Sequence, residues 1–457
     1  MNPELNRIYY GDHLGKDAPK VLTSWSENLF DAVVTDPPYE LGFMGKSWDS
    51  SGIAYSVEFW KDVLRVMKPG AHLVAFGGTR TYHRMACAIE DAGFEVRDQL
   101  QWLYGSGFPK SMDISKAIDK AAGEKPRVVG KRTDGRYKNG FSDKAKRALG
   151  GEVYDVTKGF NGEMGLITEP TTEAAKLWAG WGTALKPANE PIILARKPCS
   201  EKTVAANVLK WGTGALNIDD SRIPGSDGGD RIGEESRERR YNEKGGTDFA
   251  MKPGPRGGDA KGRWPANLVI MHHTLCVALE CAHACVPDCP MRIMDDQSGR
   301  LQSGQPMGVK AGGQGNAYGR FAGGIPVTGY GDAGGASRFF YCAKPDGVER
   351  DIGLESEPKK ASGVKNASGR GYSETDPYRE VRRGNIHPTV KPIDLMRYLI
   401  QLTTPKGGVC LDPFMGSGTT AIAAARLGHP WLGIDKDASY IEIAQKRILG
   451  DSNGRLL

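Results

Sequence analysis

Short apolar runs alternate with amphipathic stretches at both ends of the chain, and this alternation predicts a sheet covered by helices. Near the amino terminus, strands are predicted at residues 7–10, 30–34, 73–76 and 94–103, and helices at 57–67 and 82–92. Near the carboxyl terminus, helices are predicted at 392–402, 419–426 and 438–448, and strands at 409–411 and 431–434. We therefore expect an α/β fold in which both ends of the chain contribute to one mostly parallel sheet.

The middle of the chain lacks this regularity. Glycine-rich polar stretches at 221–262 and 299–335 interrupt shorter ordered pieces, and 61 of the 457 residues are glycine. Four tryptophans, a residue that is usually well buried, indicate ordered structure between these stretches: Trp178, Trp181, Trp211 and Trp264. We expect three parts, at residues 1–110, 111–385 and 386–457, of which the middle one is a large, irregular, glycine-rich insert.

Composition restricts the possible location and partners. The net charge of +6 is small for this length, so any affinity for nucleic acid must come from local clusters of charge. No run of 18 apolar residues predicts a membrane span, and the first ten residues lack the apolar core of a signal peptide. These features predict a cytoplasmic protein without a membrane partner. In that compartment the eight cysteines are expected to stay reduced rather than form disulfides.

Positive charge is concentrated in one segment, residues 125–147. Nine basic residues stand there against two aspartates: Lys125, Arg127, Lys131, Arg132, Arg136, Lys138, Lys144, Lys146 and Arg147. This segment is a plausible phosphate-binding surface. A solvated mobile loop is an equally good interpretation, because the segment has few aromatic residues and charge runs are often only solvated.

The first candidate site is Asp36-Pro37-Pro38-Tyr39, which follows the predicted strand at residues 30–34. The prolines fix a rigid bend and leave their carbonyls free, Asp36 is an acceptor at the carboxyl end of a strand, and Tyr39 adds a flat ring. This set suits a base swung out of a nucleic-acid stack, with its amine on the acceptors and its face on the ring. The alternative is a Pro-Pro turn that merely ends a strand.

The second candidate site is the loop at residues 412–420, between a predicted strand and a predicted helix. Gly416 and Gly418 let the backbone approach a ligand, and the amino terminus of the helix offers free N–H groups. A P-loop would need lysine in place of Thr419, and the glycine spacing does not complete a dinucleotide motif. The pattern favours an adenosine ligand that bears a carboxylate, with Asp435 binding the ribose hydroxyls. A structural turn beside a surface aspartate is the alternative.

Together, the two motifs resemble those of the amino-methylating DNA methyltransferases of the β arrangement. In that family the catalytic half comes first, the target-recognition region next and the S-adenosylmethionine half last. His387-Pro388-Thr389-Val390-Lys391-Pro392 resembles the segment that packs on the methionine part of the cofactor, and Gly11-Asp12 resembles the acid near its adenine. The stretch from Trp181 to Pro191 is similar to one in phage and prophage members.

The resemblance implies a Rossmann-like S-adenosylmethionine-dependent methyltransferase fold, assembled from both termini, and a role for each matching residue. Asp36 and the carbonyl of Pro37 would accept the hydrogens of an adenine amine, in a bend that includes Pro38, and Tyr39 would stack on the flipped base. The implied cofactor-binding residues are Asp12, His387, Thr389, Lys391, Asp412, Phe414, Gly416, Ser417, Gly418, Thr419 and Asp435.

The implied reaction is methylation of the N6 amine of adenine at a specific sequence in double-stranded DNA, as in restriction–modification. Cytosine N4 methylation uses the same geometry, but members of that kind more often begin the tetrad with serine, so Asp36 favours adenine. A nucleic-acid-binding module without catalysis is a third interpretation. It would require a degraded acceptor or a blocked pocket, whereas both Asp36 and the glycine loop are present.

A cluster in the insert predicts a structural zinc ion. Four cysteines, Cys276, Cys281, Cys285 and Cys289, fall within fourteen residues. His283 lies among them, and His272 and His273 come shortly before them. We expect Cys276, Cys285 and Cys289 as ligands, with Cys281 or His273 as the fourth. The alternative is a buried helical stripe of cysteines four residues apart, which Pro287 disfavours.

Overall fold

The computed structural model describes most of the chain, with gaps. The described residues are 1–13, 20–41, 50–105, 111–131, 166–223, 262–273, 276, 285–286, 289–302, 313–316, 319–321, 333–343, 349–357, 360–361, 382–387 and 389–453. None of the helices within these ranges combines the length and the apolar character that crossing a membrane requires.

Strands and helices alternate along the described residues. The strands are β1 (Arg7–Tyr10), β2 (Phe30–Thr35), β3 (Met67–Phe76), β4 (Glu95–Leu103), β5 (Arg127–Lys131), β6 (Leu166–Glu169), β7 (Asn189–Arg196), β8 (Leu268–Met271), β9 (Leu301–Gln302), β10 (Gly313–Asn316), β11 (Gly319–Phe321), β12 (Ala333–Gly334), β13 (Tyr341–Ala343), β14 (Lys360–Ala361), β15 (Arg382–Arg383), β16 (Cys410–Asp412) and β17 (Trp431–Asp435). The helices are α1 (Val21–Ser24), α2 (Val57–Val66), α3 (Tyr82–Asp91), α4 (Ile114–Ala121), α5 (Glu173–Leu177), α6 (Val204–Trp211), α7 (Pro290–Ser298), α8 (Ile393–Thr403), α9 (Thr419–Arg426) and α10 (Ala438–Asn453). Short 3₁₀ turns occur at Ile53–Tyr55, Ala336–Phe339 and Glu349–Asp351.

One nine-stranded sheet forms the centre of the molecule, in the order β1-β17-β16-β2-β3-β7-β4-β8-β13. Strand β7 runs antiparallel to β3 and to β4, and the other neighbouring pairs of this sheet are parallel. The prediction of a mostly parallel α/β sheet is therefore confirmed. The remaining described strands pair as β5–β6, β9–β12, β10–β11 and β14–β15.

The two ends of the chain meet inside this sheet. Strand β1 pairs with β17, and β2 pairs with β16, where Cys410 lies opposite Ala32. The carboxylate of Asp31 strengthens this junction, because it accepts hydrogen bonds from Lys68 Nζ at 2.7 Å and from the N–H of Val409 at 2.8 Å. The predicted assembly of one sheet from both termini is thus confirmed.

Helices cover both faces of the sheet, and the side chains of β3 show how the core divides. Leu73 and Ala75 pack on one face with residues of α1, α2 and α3. Val74 and Phe76 point to the opposite face and pack with α8 and α9. A strand buried on both faces reads as a continuous apolar run, which is why the sequence identified this strand.

The start of β3 differs from the prediction. The sequence predicted a helix to residue 67 and a strand only from residue 73, but the strand begins at Met67, directly after α2. The positive φ of Gly70, 83°, and the hydrogen bond from its N–H to the carbonyl of Lys197 at 3.0 Å carry the chain into the sheet. Pro69 is tolerated because only its carbonyl is used, as an acceptor for the side chains of Asn207 and Thr213.

The middle of the chain also contributes to the sheet. Strands β7, β8 and β13 lie between residues 189 and 343 and supply three of its nine strands. The division at residues 1–110, 111–385 and 386–457 stays a prediction, and the central sheet takes strands from all three parts.

Replacing Asn207 with alanine should destabilise the protein by roughly 2–4 kcal/mol. The Asn207 side chain is fully buried and donates to the carbonyls of Pro69 and Thr213, both at 2.8 Å, while it accepts from the N–H of Ser200 at 3.0 Å. Removing it takes the donor from the buried carbonyl of Thr213 and one of two donors from the buried carbonyl of Pro69. Urea unfolding should show the loss, with Leu209→Ala on the same helix as the control, because the Leu209 side chain is 89% exposed. Equal stabilities for the two variants would contradict the prediction.

Candidate active site

Four acidic residues lie close together because β1, β17, β16 and β2 are parallel neighbours, so their carboxyl ends lie on the same side of the sheet. Asp12 follows β1, Asp435 ends β17, Asp412 ends β16 and Asp36 follows β2. The carboxyl ends of these strands border a cavity of about 410 Å³. Its lining includes Asp12, Asp36, Tyr39, Glu190, Lys391, Asp412, Gly416, Thr419 and Asp435. Strands β16 and β2 are neighbours whose chains continue to opposite sides of the sheet, which is the usual ligand-binding position in such folds.

Asp36 has one paired and one unpaired carboxylate oxygen. Its Oδ2 lies 2.6 Å from Lys391 Nζ. Its Oδ1 is buried and has no hydrogen-bond partner among the described residues. A buried acceptor without a donor is costly, so an unpaired oxygen beside a cavity indicates a place for a donor from a ligand.

Lys391 is the central cation of this region. Its side chain is 7% exposed, and Nζ lies 2.6 Å from Asp36, 3.1 Å from the hydroxyl of Tyr39 and 3.4 Å from Glu190 Oε2. The rings of Phe76 and Tyr39 lie 5.0 and 5.3 Å from the same ammonium. The resemblance implied that Lys391 contacts the cofactor, and this role stays a prediction. In the structure its ammonium pairs with Asp36 Oδ2.

Burial and charge act against each other in this cluster. Burial raises the pKa of Asp36, and the ammonium of Lys391 opposes that rise. Burial opposes charge on Lys391, but the carboxylates of Asp36 and Glu190 outweigh it, so the pKa of Lys391 is raised. Burial and the two carboxylates raise the pKa of Tyr39, which therefore stays a neutral donor.

Glu190 belongs to this site although its side chain was not predicted to do so. Its Oε2 accepts a hydrogen bond from the hydroxyl of Tyr39 at 2.6 Å. Strand β7 is antiparallel to its neighbours, so its first residues lie beside the carboxyl end of β3, with Ile192 opposite Phe76. The available signal was the stretch from Trp181 to Pro191, which marked this segment by resemblance but gave Glu190 no role.

The backbone after Tyr39 bends sharply. Glu40 has a positive φ of 54°, and its carboxylate accepts hydrogen bonds from Ser51 Oγ at 3.0 Å and the N–H of Gly52 at 2.8 Å. The carbonyl of Tyr39 accepts a hydrogen bond from Thr81 Oγ1 at 2.7 Å. These contacts hold a conformation that non-glycine residues rarely adopt, and they fix the direction of the Tyr39 ring.

Asp412 joins the second motif to the first. Its two oxygens accept hydrogen bonds from Thr35 Oγ1 at 2.7 Å and Thr420 Oγ1 at 2.5 Å, and the N–H of Phe414 donates to it at 3.0 Å. Thr35 ends β2 directly before Asp36, so this buried carboxylate ties the glycine loop to the strand that carries the first motif. In the structure, Asp412 holds the loop in place, and it also lines the cavity.

The glycines of the loop meet the conditions for a close approach. Gly416 has a φ of 51°, its N–H donates to Asp435 Oδ2 at 2.7 Å, and a Cβ there would lie 2.7 Å from His387 Nε2. Gly418 has a φ of 84°, and a Cβ would lie 2.9 Å from the Cβ of Ala444. Any side chain at either position would push the loop from its place.

Arg447, on helix α10, holds the loop at residues 412–420 in place, and the sequence did not predict this role. Its guanidinium is fully buried and donates to the carbonyl of Ser417 at 2.5 Å, to Thr419 Oγ1 at 3.2 Å and to the carbonyl of Glu349 at 2.8 Å. Burial lowers the pKa of Arg447 to about 10, so the side chain stays charged at neutral pH. Nothing local in the sequence of helix α10 distinguishes this arginine from a surface residue.

The other predicted cofactor residues lie around the same cavity. His387 Nδ1 is 3.0 Å from the carbonyl of Thr389, and its ring packs edge-on against Tyr440. Burial lowers the pKa of His387 to about 4. His13, which was not predicted, contacts the carbonyl of Pro413 through Nε2 at 2.7 Å and packs against Phe414. Pro388 lies outside the described residues.

The predicted metal ligands are brought together with one change. His272, Cys276, Cys285 and Cys289 place their ligand atoms within 4.8 Å of one another. The histidine among them is His272, whereas the sequence suggested His273, whose backbone N–H instead donates to Cys289 Sγ. Cys281 and His283 lie outside the described residues, as does the basic segment from Arg132 to Arg147. The nearby Arg127 pairs with Glu169 at the surface.

Comparison with known proteins identifies a family whose model matches most of the chain. A family model described as DNA methylase, N6_N4_Mtase, matches residues 30–446. The chain is 48% identical over 62 residues to the Type II methyltransferase M2.DpnII of Streptococcus pneumoniae, and this match covers 14% of the chain and 23% of that relative. The chain thus spans less than a quarter of the length of this relative.

Two solved structures are similar to the chain at low identity. One is TTHA0409 of Thermus thermophilus complexed with S-adenosyl-L-methionine, at 15% identity over 98% of this chain and 95% of that one, with a TM-score of 0.35. The other is the PvuII DNA methyltransferase (cytosine-N4-specific), at 12% identity over 98% of this chain and 90% of that one, with a TM-score of 0.38.

Asp412 should make the stability of the protein depend on pH. Burial raises its pKa to about 6, above the value of about 3.9 in an unfolded chain. A raised carboxyl pKa stabilises the folded state fully at low pH, and this contribution is lost as the pH rises through about 6. Relative to Asp412→Asn, the wild type should therefore gain about 1 kcal/mol between about pH 7.5 and pH 5. Urea unfolding of both proteins at the two pH values measures this, and a constant difference would contradict it.

Proposed function

Because the chain belongs to the N6/N4 DNA methylase family, we propose that it transfers a methyl group from S-adenosylmethionine to the N6 amine of adenine in double-stranded DNA. The observation that carries this proposal is the buried, unpaired Oδ1 of Asp36 beside a cavity that the glycine loop also lines. An acceptor for an amine and a cradle for an adenosine ligand share one space. A fold with only a structural pocket would not need both.

The residues of the cavity fit the cofactor. Gly416 leaves room that a Cβ would fill, and helix α9 begins at Thr419, two residues after Ser417, whose carbonyl Arg447 holds in place. We propose that this helix terminus receives the carboxylate of the cofactor and that Asp435 and Asp12 bind its adenosine part. S-adenosylmethionine supplies, when bound, a methyl group on a sulfonium centre.

The acceptors of the first motif would prepare the amine. An adenine amine is a weak nucleophile because its lone pair is delocalised into the ring. Asp36 Oδ1 and the carbonyl of Pro37 would each accept one of its hydrogens, which favours a tetrahedral nitrogen with a free lone pair. Lys391 pairs with Oδ2 at 2.6 Å, so it favours the ionised form of Asp36 and leaves the other oxygen available. Much of the rate would then come from alignment of the two reactants.

Tyr39 would hold the flipped base by stacking, a contact worth roughly 1–3 kcal/mol. Its hydroxyl is fixed by Glu190 at 2.6 Å and by Lys391 at 3.1 Å, so the ring is oriented before a base arrives. Tyr104 and Pro187 also line the cavity. The base would thus enter between the ends of β2 and β7, opposite the glycine loop.

The choice of adenine rests on Asp36, because family members that methylate cytosine N4 more often carry serine at this position. The middle part of the chain, residues 111–385, would recognise the target sequence, since base-reading surfaces must come from outside the two half-sheets. The basic residues at 125–147 are the candidates for phosphate contacts there.

The product identifies the reaction directly. DNA from cells that express the wild-type chain should contain 6-methyladenine at one short sequence, measured by digestion to nucleosides and by sequencing that detects modified bases. DNA from cells that express Asp36→Ala is the control and should lack the modification. Detection of 4-methylcytosine would overturn the choice of adenine, and absence of both bases would overturn the proposed activity.

Asp36→Ala should reduce methyl transfer at least about 100-fold, because the variant lacks the acceptor that orients the amine. Its affinity for S-adenosylmethionine should change little, since Asp36 contacts the amine side of the cavity. Turnover measured with radiolabelled cofactor, together with calorimetry of cofactor binding, separates the two effects. Retention of more than about a tenth of wild-type turnover, a loss under about 1.4 kcal/mol, would contradict the acceptor role.

Gly416→Val is the matched control on the opposite side of the cavity. A side chain there would collide with His387, so the affinity for S-adenosylmethionine should fall. Unchanged affinity would show that the loop at residues 412–420 does not bind the cofactor.

A further inference from the structure

The cysteine and histidine cluster lies beside β8, next to the edge strand β13. The loop at residues 412–420 follows β16, near the opposite edge of the sheet. His272 directly follows β8, and Cys289 directly precedes α7. Strand β8 lies between β4 and the edge strand β13. Four potential ligands therefore meet beside the last strands of the sheet, namely His272, Cys276, Cys285 and Cys289.

Two of the distances within the cluster are close to those around a tetrahedral metal ion. His272 Nδ1 lies 3.4 Å from Cys285 Sγ and 3.5 Å from Cys289 Sγ, and the four ligand atoms lie within 4.8 Å of one another. With Zn–S bonds of about 2.3 Å and a Zn–N bond of about 2.0 Å, ligand atoms are separated by roughly 3.5–3.8 Å. The observed sulfur–nitrogen distances are close to this range.

The fully buried part of the local core is small. Its buried members are Ile270, Cys285, Cys289 and Met291, and two of these four are potential ligands; the other apolar side chains packed there, among them Leu268, Met294 and Phe340, are only partly buried. Few fully buried apolar side chains other than the potential ligands therefore support the described residues between β8 and α7. A metal ion bound by side chains supplies folding free energy in regions of this kind.

We propose that His272, Cys276, Cys285 and Cys289 bind one zinc ion with a structural role. Four protein ligands close the coordination shell, whereas a catalytic zinc keeps an open position. The N–H of His273 donates to Cys289 Sγ at 3.5 Å, and this contact favours a thiolate at that ligand. The proposed methyl transfer gives the ion no chemical task, because it needs no activated water.

The position of the ion indicates what it would stabilise. Strand β8 pairs with β4 at Gln101, Trp102 and Leu103, and Tyr104 next to them lines the cavity. Loss of zinc should loosen β8 and β13 first and then the base side of the cavity. This consequence rests on the proposed function, and it predicts weaker DNA binding with S-adenosylmethionine binding retained.

Elemental analysis of the full chain, purified without a metal-affinity tag, tests the ion itself. We expect one zinc per chain, released in step with modification of the cysteine thiols by a mercurial reagent. Less than about a tenth of an equivalent of zinc in a folded preparation would overturn the proposal, and so would iron in place of zinc. Neither result would bear on methyl transfer, which is measured separately.

Two pairs of variants test the ligand set. His272→Ala should lower zinc content to below about a tenth of an equivalent, whereas His273→Ala should keep it, and the reverse would overturn the assignment. Cys276→Ser should also lose zinc, whereas Cys342→Ser should retain it, because Cys342 packs beside the cluster without belonging to it. If the ligand variants fail to fold, the spectrum of the cobalt-substituted wild type decides, since a spectrum without tetrahedral thiolate bands would reject the site.

Discussion

The buried ion pair between Lys391 and Asp36 holds the two halves of the chain in one geometry. Taking two charges from water into a protein costs several kcal/mol per ion, and good geometry must offset that cost. Here Lys391 meets three oxygens and three aromatic faces, so its charge is compensated from several directions. The pair fixes the register between the loop after β2 and the segment before α8, and it decides which oxygen of Asp36 remains available.

The strands that the two termini of the chain contribute to the central sheet, and both motifs, could be predicted from the sequence because their signals are local. A buried strand reads as an apolar run, and the residues after it are contiguous in the chain, as at Asp36 and at Gly416. Glu190 and Arg447 could not be assigned in this way. Their contacts depend on the antiparallel register of β7 and on the packing of α10 under the glycine loop. That His272 rather than His273 lies beside the three cysteines likewise depends on the backbone conformation at the end of β8. The spacing of residues along the chain does not reveal that conformation.

The two sides of the cavity are built by different means. On the side of β16 and β17, backbone N–H groups and buried carboxylates define a loop whose glycines allow almost no substitution. On the side of β3, β7 and β4, the contacts are made by side chains, those of Tyr39, Glu190 and Lys391. The loop leaves almost no room for other side chains, whereas the second side depends on a buried network of charges in which a change of one side chain leaves another without its partner.

The pairing of β2 with β16 joins residues that are separated by most of the chain, as Ala32 lies opposite Cys410. During synthesis at about 5–20 residues per second, β2 would wait on the order of tens of seconds for its partner. Over that time the strand has an open edge, apolar on both faces, that can pair with another chain. We therefore expect the nascent protein to depend on chaperones, and its yield in cells to respond to translation speed more than its final stability would suggest.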